Sequence, residues 1–227
     1  MIEKLLQPPV HAAEAFGDDP CVALFPGERA VIARAPERRR KEFATARGCA
    51  RSALARLGCP PVPVLTDRLG APLWPGGVTG SITHCAGYRA AAVALTSDVV
   101  SLGLDAAPNA PLRNPDMLDV IARDAERARL AGLAAAAPGV CWDQLLFSAK
   151  EAVYKAWYPL ARCWLDFQSA DIEIDPRAGT FSARLVVPGP RALTAPGGAL
   201  RGCLLASRGF LLTAVVIPAP RNPVIGR

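Results

Sequence analysis

Apolar positions along residues 37–57, ERRRKEFATARGCARSALARL, recur at spacings of three and four: Phe43, Ala46, Ala50, Ala53, Leu54 and Leu57. That spacing predicts an amphipathic helix, which Gly58 and Pro60-Pro61 stop. Residues 62–80 are rich in Pro and Gly and read as loop. Ala90–Leu95 and Val99–Leu104 are short apolar runs around Thr96-Ser97-Asp98, two strands joined by a turn. Helical patterns return over 117–134 and over Trp142–Leu160. The period then shortens, and Ala170–Ile174, Phe181–Val187, Gly202–Ala206 and Leu211–Ile217 read as strands. The layout predicts an α+β chain of two similar-sized halves, 1–100 and 101–227, breaking near Val99–Ser101. The start, including His11, and the tail Pro218–Arg227 read as loose extensions.

Composition narrows the class. With 227 residues, 51% of them hydrophobic, the chain can bury a real core. No run of about 18 apolar residues occurs, so no membrane span is expected. Met1–Phe16 carries Pro8-Pro9, Glu3 and Glu14 and lacks the build of a secretory leader, so the cytoplasm is the expected compartment. Seven widely spaced cysteines without a C-x-x-C read as reduced thiols rather than a disulfide framework or a zinc site. The net charge of +6 suits an anionic ligand or partner. Only four of the 26 basic residues are lysine, which draws attention to Lys150 and Lys155.

Four segments carry candidate chemistry. In Phe147-Ser148-Ala149-Lys150-Glu151-Ala152-Val153-Tyr154-Lys155-Ala156-Trp157, Glu151 and Lys155 lie one helical turn apart. Taken alone this is a surface ion pair of small value. In so apolar a segment an acid and a base can serve as a metal ligand or base beside a phosphate anchor. Asp105 ends the apolar run Val100-Ser101-Leu102-Gly103-Leu104, where it is either a turn aspartate or an active-site carboxylate. A hard cation such as magnesium needs only one or two carboxylates when phosphates complete its shell. His84 follows Gly80-Ser81-Ile82-Thr83 and is either a structural histidine or a donor to a phosphate. Arg39, Arg40, Lys41, Arg47 and Arg51 form a basic helix face, either solvated or a clamp on a phosphate monoester. A nucleic-acid reading finds no aromatic platform, and no nucleic-acid partner is expected.

Together these segments resemble the Sfp-type phosphopantetheinyl transferases, in the actinobacterial and enterobactin-synthesis-like branch. The family's G-[IV]-D-x-E and [FW]-[SC]-x-K-E-A-x-x-K-A patterns correspond to Gly103–Ala107 and Phe147–Ala156. Its W-P-x-G-x-x-G-S-x-[ST]-H pattern corresponds to Trp74–His84, and R-R-x-E-F-x-x-x-R to Arg39–Arg47. The similarity runs from about Pro36 to Ile217. It implies the family fold, two α/β halves in a pseudo-twofold arrangement, with coenzyme A in the cleft between them. It implies transfer of 4′-phosphopantetheine to a serine of an apo acyl or peptidyl carrier protein, by a monomer. By position, Arg39, Arg47 and His84, with Thr83, would hold phosphates of coenzyme A. Thr66, Asp67, Arg68 and Gly70 would line the adenosine side, and Lys155 would neutralise the pyrophosphate. Asp105 and Glu151 would hold Mg2+ (or Mn2+), with Glu151 the base. The chain departs from the pattern at Ala107, where a third carboxylate is usual, leaving water or the Ala106 backbone to fill that place. On that departure alone rests a second reading, a coenzyme A-binding pseudoenzyme.

Overall fold

The computed structural model describes residues 1–190, Leu193 and 199–220. It shows a mixed α/β chain with two antiparallel sheets, each carrying one long helix. In the first sheet β5 (Tyr88–Leu95) lies between β1 (His11–Phe16) and β4 (Val78–Cys85). The second runs in the order β6 (Val99–Pro108), β10 (Phe210–Pro218), β9 (Ala199–Ser207), β8 (Thr180–Leu185), β7 (Ala170–Asp175).

The helix α2 (Glu37–Arg56) covers the first sheet. Its predicted apolar stripe is the one that packs: Ala50, Ala53 and Leu54 meet Ala91 and Val93 of β5. Alanines on both surfaces keep helix and sheet close. The alternate side chains of β5, Ala90, Ala92 and Ala94, face a different cluster with Leu102, Leu104 and Leu212, as the period of two requires. The helix α5 (Trp142–Ala161) covers the second sheet, burying Leu145, Ala149, Ala152 and Ala156 against Leu211 and Val215.

Four readings of the sequence change. The N-terminal segment is not loose: His11 pairs with Val93 on β1, and a further helix, α1 (Pro26–Ile32), follows. The start is held because Ile2, Leu5 and Leu6 bury their side chains where the two sheets meet. The loop at 62–80 contains a two-residue ribbon, β2 (Leu65–Thr66) with β3 (Pro72–Leu73), and the beginning of β4. The helix expected over 117–134 is two, α3 (Met117–Ile121) and α4 (Asp124–Ala136). They separate where Glu126 turns back to accept from the Arg123 N–H at 2.7 Å, a cap that starts a new helix. Of the tail, 221–227 lie outside the described residues, while Pro218 still belongs to β10 and the Ala219 N–H bonds the Asp98 carbonyl. No described helix is long and apolar enough to cross a membrane.

The two sheets meet along β4 and β6 without sharing a ladder. The Leu104 N–H donates to Ser81 Oγ, and the Ala106 N–H to Thr83 Oγ1, each at 3.0 Å. Buried N–H groups need partners, and here two hydroxyls from the opposite strand supply them. Thr83 lies beside His84 and Ala106 beside Asp105, so this seam sets the two sets of candidate residues side by side.

Candidate active site

Strand β6 turns Ser101, Gly103, Asp105 and Ala107 toward α5. Ser101 Oγ donates to the Ala156 carbonyl at 2.7 Å. Gly103 is required: a Cβ there would stand 1.9 Å from the Ala152 carbonyl oxygen. With the helix this close, Asp105 receives three donors. Ser148 Oγ reaches its Oδ2 at 2.8 Å, and Lys155 Nζ and Thr83 Oγ1 reach Oδ1 at 2.6 and 3.2 Å. Lys155 also donates to the Leu104 carbonyl at 3.1 Å.

Glu151 sits one turn before Lys155, half-buried. Burial pushes its carboxyl up, the Asp105 charge adds to this, and Lys155 opposes it. These two carboxylates, from facing elements, form an oxygen-only donor set suited to a hard divalent cation. The residues therefore fit a hard divalent cation with two protein ligands. Among the described residues no group of three or more His, Cys, Asp or Glu could hold a metal, consistent with alanine at 107. Ala106 and Ala107 are both buried.

A second cluster lies across the seam. Arg39 and Arg47, on one face of α2, line a cavity of about 280 Å³ with Phe43, Thr66, Gly70 and His84. Arg39 Nη1 contacts His84 at Nε2 and, at 3.3 Å, Nδ1. Burial and the charges of Arg39, Lys155 and Arg89 push His84 down to about 4, so it is neutral near pH 7. Arg47 is buried, donates from Nε to the Val64 carbonyl at 2.7 Å and stacks on Phe43 with its carbon 4.0 Å from the ring centre. Burial lowers it to about 10, and it remains charged. Gly70, Pro72 and Ile82 also line an adjoining cavity of about 410 Å³, which holds Glu151, Tyr154, Lys155 and Tyr158. The cationic pocket thus adjoins the cavity of Glu151 and Lys155, and Asp105 is bonded to that lysine.

Other residues singled out in the sequence have different partners. Asp67 shapes the loop: its Oδ1 accepts from the Leu69 and Ala71 N–H groups, both at 2.9 Å, and its Oδ2 from the Tyr158 hydroxyl at 2.8 Å. The turn needs Gly70 at φ +86°. Arg68 is exposed. Arg51 pairs with the fully buried Glu28 at 3.1 Å and anchors α1. Lys41 pairs with Glu37 at the surface. Lys150, only five residues from Lys155, points the other way: its Nζ donates to Glu126 at 2.8 Å and to the Phe167 and Ala170 carbonyls. Sequence reasoning placed Glu42 only within the R-R-x-E-F pattern and gave it no role; it stands 3.7 Å from Arg39 and 3.8 Å from His84. Its signal was there, an acid closing the run Arg38-Arg39-Arg40-Lys41. Ser148 was missed also; only the fold brings it to Asp105.

Comparison with known proteins agrees with this geometry. Residues 27–94 match the 4′-phosphopantetheinyl transferase N-terminal domain, and 101–194 the 4′-phosphopantetheinyl transferase superfamily. The chain is 54% identical over 211 residues to the 4′-phosphopantetheinyl transferase Svp of Streptomyces mobaraensis, covering 92% of this chain and 85% of that protein. It is 44% identical over 209 residues to PptT of Mycobacterium tuberculosis, covering 90% and 91% of the two chains. It is 43% identical over 226 residues to Npt of Nocardia iowensis, covering 95% and 99%. An anion pocket and an adjoining carboxylate–lysine cluster, with this similarity along nearly the whole chain, make it a member of the 4′-phosphopantetheinyl transferase superfamily and an enzyme of that type.

Proposed function

We propose that this chain moves the 4′-phosphopantetheine arm of coenzyme A onto a serine hydroxyl of apo acyl or peptidyl carrier proteins and releases adenosine 3′,5′-bisphosphate. The observation that carries the reading is the pair of adjoining cavities, one lined by Arg39, Arg47 and His84 and the other by Glu151 and Lys155, with Asp105 bonded to Lys155. The N-terminal half, 1–100, takes the adenosine and the phosphate monoester. The C-terminal half, 101–227, brings the metal ligands and the catalytic helix. A long helix on an antiparallel sheet in each half supports a pseudo-twofold relation between them.

Arg39 and Arg47 hold the 3′-phosphate by charge-assisted bonds, with His84 at the rim of the same pocket. Thr66 and Gly70 line the adenosine side, and Asp67 keeps that loop in shape. Lys155, already fixed on Asp105, meets the pyrophosphate and stabilises the charge that develops there. A divalent cation, Mg2+ or Mn2+, held by Asp105 and Glu151 would supply further screening of the phosphate oxygens. Glu151 takes the serine proton, and its raised carboxyl pKa makes it the stronger base. The serine oxygen bonds to the β-phosphorus as the bond to the bridging oxygen breaks, and the nucleotide leaves as its 5′-phosphate. The protein supplies position and charge, and forms no covalent link itself.

One chain provides every residue named, which supports action as a monomer. All seven cysteines are free, which supports a reducing, cytoplasmic setting. No nucleic-acid partner enters this reading. The test is the mass of an apo carrier protein incubated with the chain, coenzyme A and magnesium. A gain of one phosphopantetheine, lost when the acceptor serine is removed, is expected. Full transfer in excess chelator would overturn the roles of Asp105 and Glu151 toward the metal.

A further inference from the structure

Glu42 is an acid in a region otherwise built of cations. On an isolated helix it would be an ordinary partner for Arg38 and Arg39, at i−4 and i−3, and worth little. The fold changes its surroundings: β4 and β5 bring His84 and Arg89 against it, and only 7% of the residue stays exposed. Its Oε1 lies 3.7 Å from both Arg38 Nε and Arg89 Nη2, and its Oε2 lies 3.7 Å from Arg39 Nη1 and 3.8 Å from His84 Nδ1. Four nitrogens at nearly equal distance make it the counter-charge of a cluster rather than the partner of one group. Arg89 is itself buried, paired with Asp18 at 2.7 Å, and its Nε–H has no partner among the described residues. Without Glu42, Asp18 alone would balance the buried Arg89 beside the charges of Arg38 and Arg39.

Coulomb's law by itself gives Glu42 the wrong sign for a phosphate pocket, since its charge opposes the ligand's. Its position gives the opposite answer. Arg39 and His84 line the cavity and Glu42 does not, so it stands behind the two groups that would meet the phosphate. We propose that Glu42 is a positioning residue of the 3′-phosphate site, holding Arg39 beside the neutral His84 against the repulsion of Arg38 and Arg89, and so creating the preference for a 3′-phosphorylated nucleotide. This rests on the assignment of the Arg39 pocket to the 3′-phosphate made above.

The test is calorimetric binding of adenosine 3′,5′-bisphosphate and adenosine 5′-monophosphate, which requires no turnover. Glu42→Gln keeps size and removes charge. It is expected to weaken the bisphosphate about fivefold to tenfold and leave the monophosphate unchanged. The KM for coenzyme A rises with little change in kcat. In an Arg39→Ala background the same change has no further effect, because the group it positions is gone. Glu42→Asp, which keeps the charge but draws it back, gives an intermediate loss and serves if the glutamine variant does not fold. Unchanged or tighter binding of the bisphosphate by Glu42→Gln would mean that plain repulsion governs, and the inference fails. Equal losses for both nucleotides would reduce Glu42 to a general structural role and also sink it. If Arg39→Ala alone does not distinguish the two nucleotides, the phosphate assignment itself falls and takes the inference with it. If Arg39→Ala does distinguish them and Glu42→Gln does not, only the inference falls.

Discussion

Replacing Gly103 by alanine tests how α5 is held over β6. The added Cβ would lie 1.9 Å from the Ala152 carbonyl oxygen and 2.7 Å from the Ala156 nitrogen, both backbone atoms of the helix. Neither can swing aside as a side chain would, so α5 must retreat by about 1 Å to restore ordinary contact. Overpacking of this kind costs about 1–3 kcal/mol. The helix carries Glu151 and Lys155, and a displacement of about 1 Å at a site that works by position lowers turnover roughly a hundredfold. Urea denaturation reads the first effect, and initial rates of carrier-protein modification at saturating coenzyme A read the second. Gly132→Ala in α4 is the control: no atom lies within 4 Å of its Cβ, so a gain of up to about 1 kcal/mol from helix propensity is expected. A Gly103→Ala protein with normal midpoint and normal turnover would refute the close approach. Lost stability with normal turnover would sever the link between that approach and the placement of Glu151.

Three further outcomes are expected. Lys150→Met strands the Glu126 carboxylate, 1% exposed, without its cation, and unfolding free energy should drop by about 3–5 kcal/mol; a midpoint within error of the parent would contradict the buried pair. Ala107→Glu adds a carboxylate two residues from Asp105 on the same face of β6 and should lower the magnesium concentration for half-maximal transfer; coincident titration curves would mean that position 107 does not face the metal. For His84 the folded value is about 4 against an ordinary 6.5, so between these pH values the unfolded chain binds more protons and stability falls as pH falls. The full shift corresponds to about 3 kcal/mol, which solvent screening at 34% side-chain exposure reduces to roughly 1–2 kcal/mol. Urea midpoints at pH 7.5 and pH 4 should therefore separate less in His84→Gln than in the parent, and equal separations would show that His84 is not held neutral.

What the sequence determined by itself was local, because helix and strand periods are written in neighbouring residues. The α2 stripe from Phe43 to Leu54, the helix from Trp142 and the four C-terminal strands follow from such spacing, and so do the motifs that signal the family. Elements held by distant contacts were not legible in this way. β1 reads as a loose start because only its pairing with β5 makes it a strand, and α3 and α4 read as one helix because the Glu126 cap breaks no apolar period. The site divides along the same line. Glu151 and Lys155 are neighbours on any helix, but the 2.6 Å bond from Lys155 to Asp105 joins residues 50 positions apart. Spacing could not tell Lys155 from Lys150, which differ in the side of α5 they occupy: one opens on the cleft, the other is sealed against Glu126. Nor could it separate Arg47, in the pocket, from Arg51, tied to Glu28, one turn away on the same helix. Tertiary structure decided these because burial and distance set the strength of a charge, and both depend on which strands pack beside the helix, a property that no local window of sequence contains.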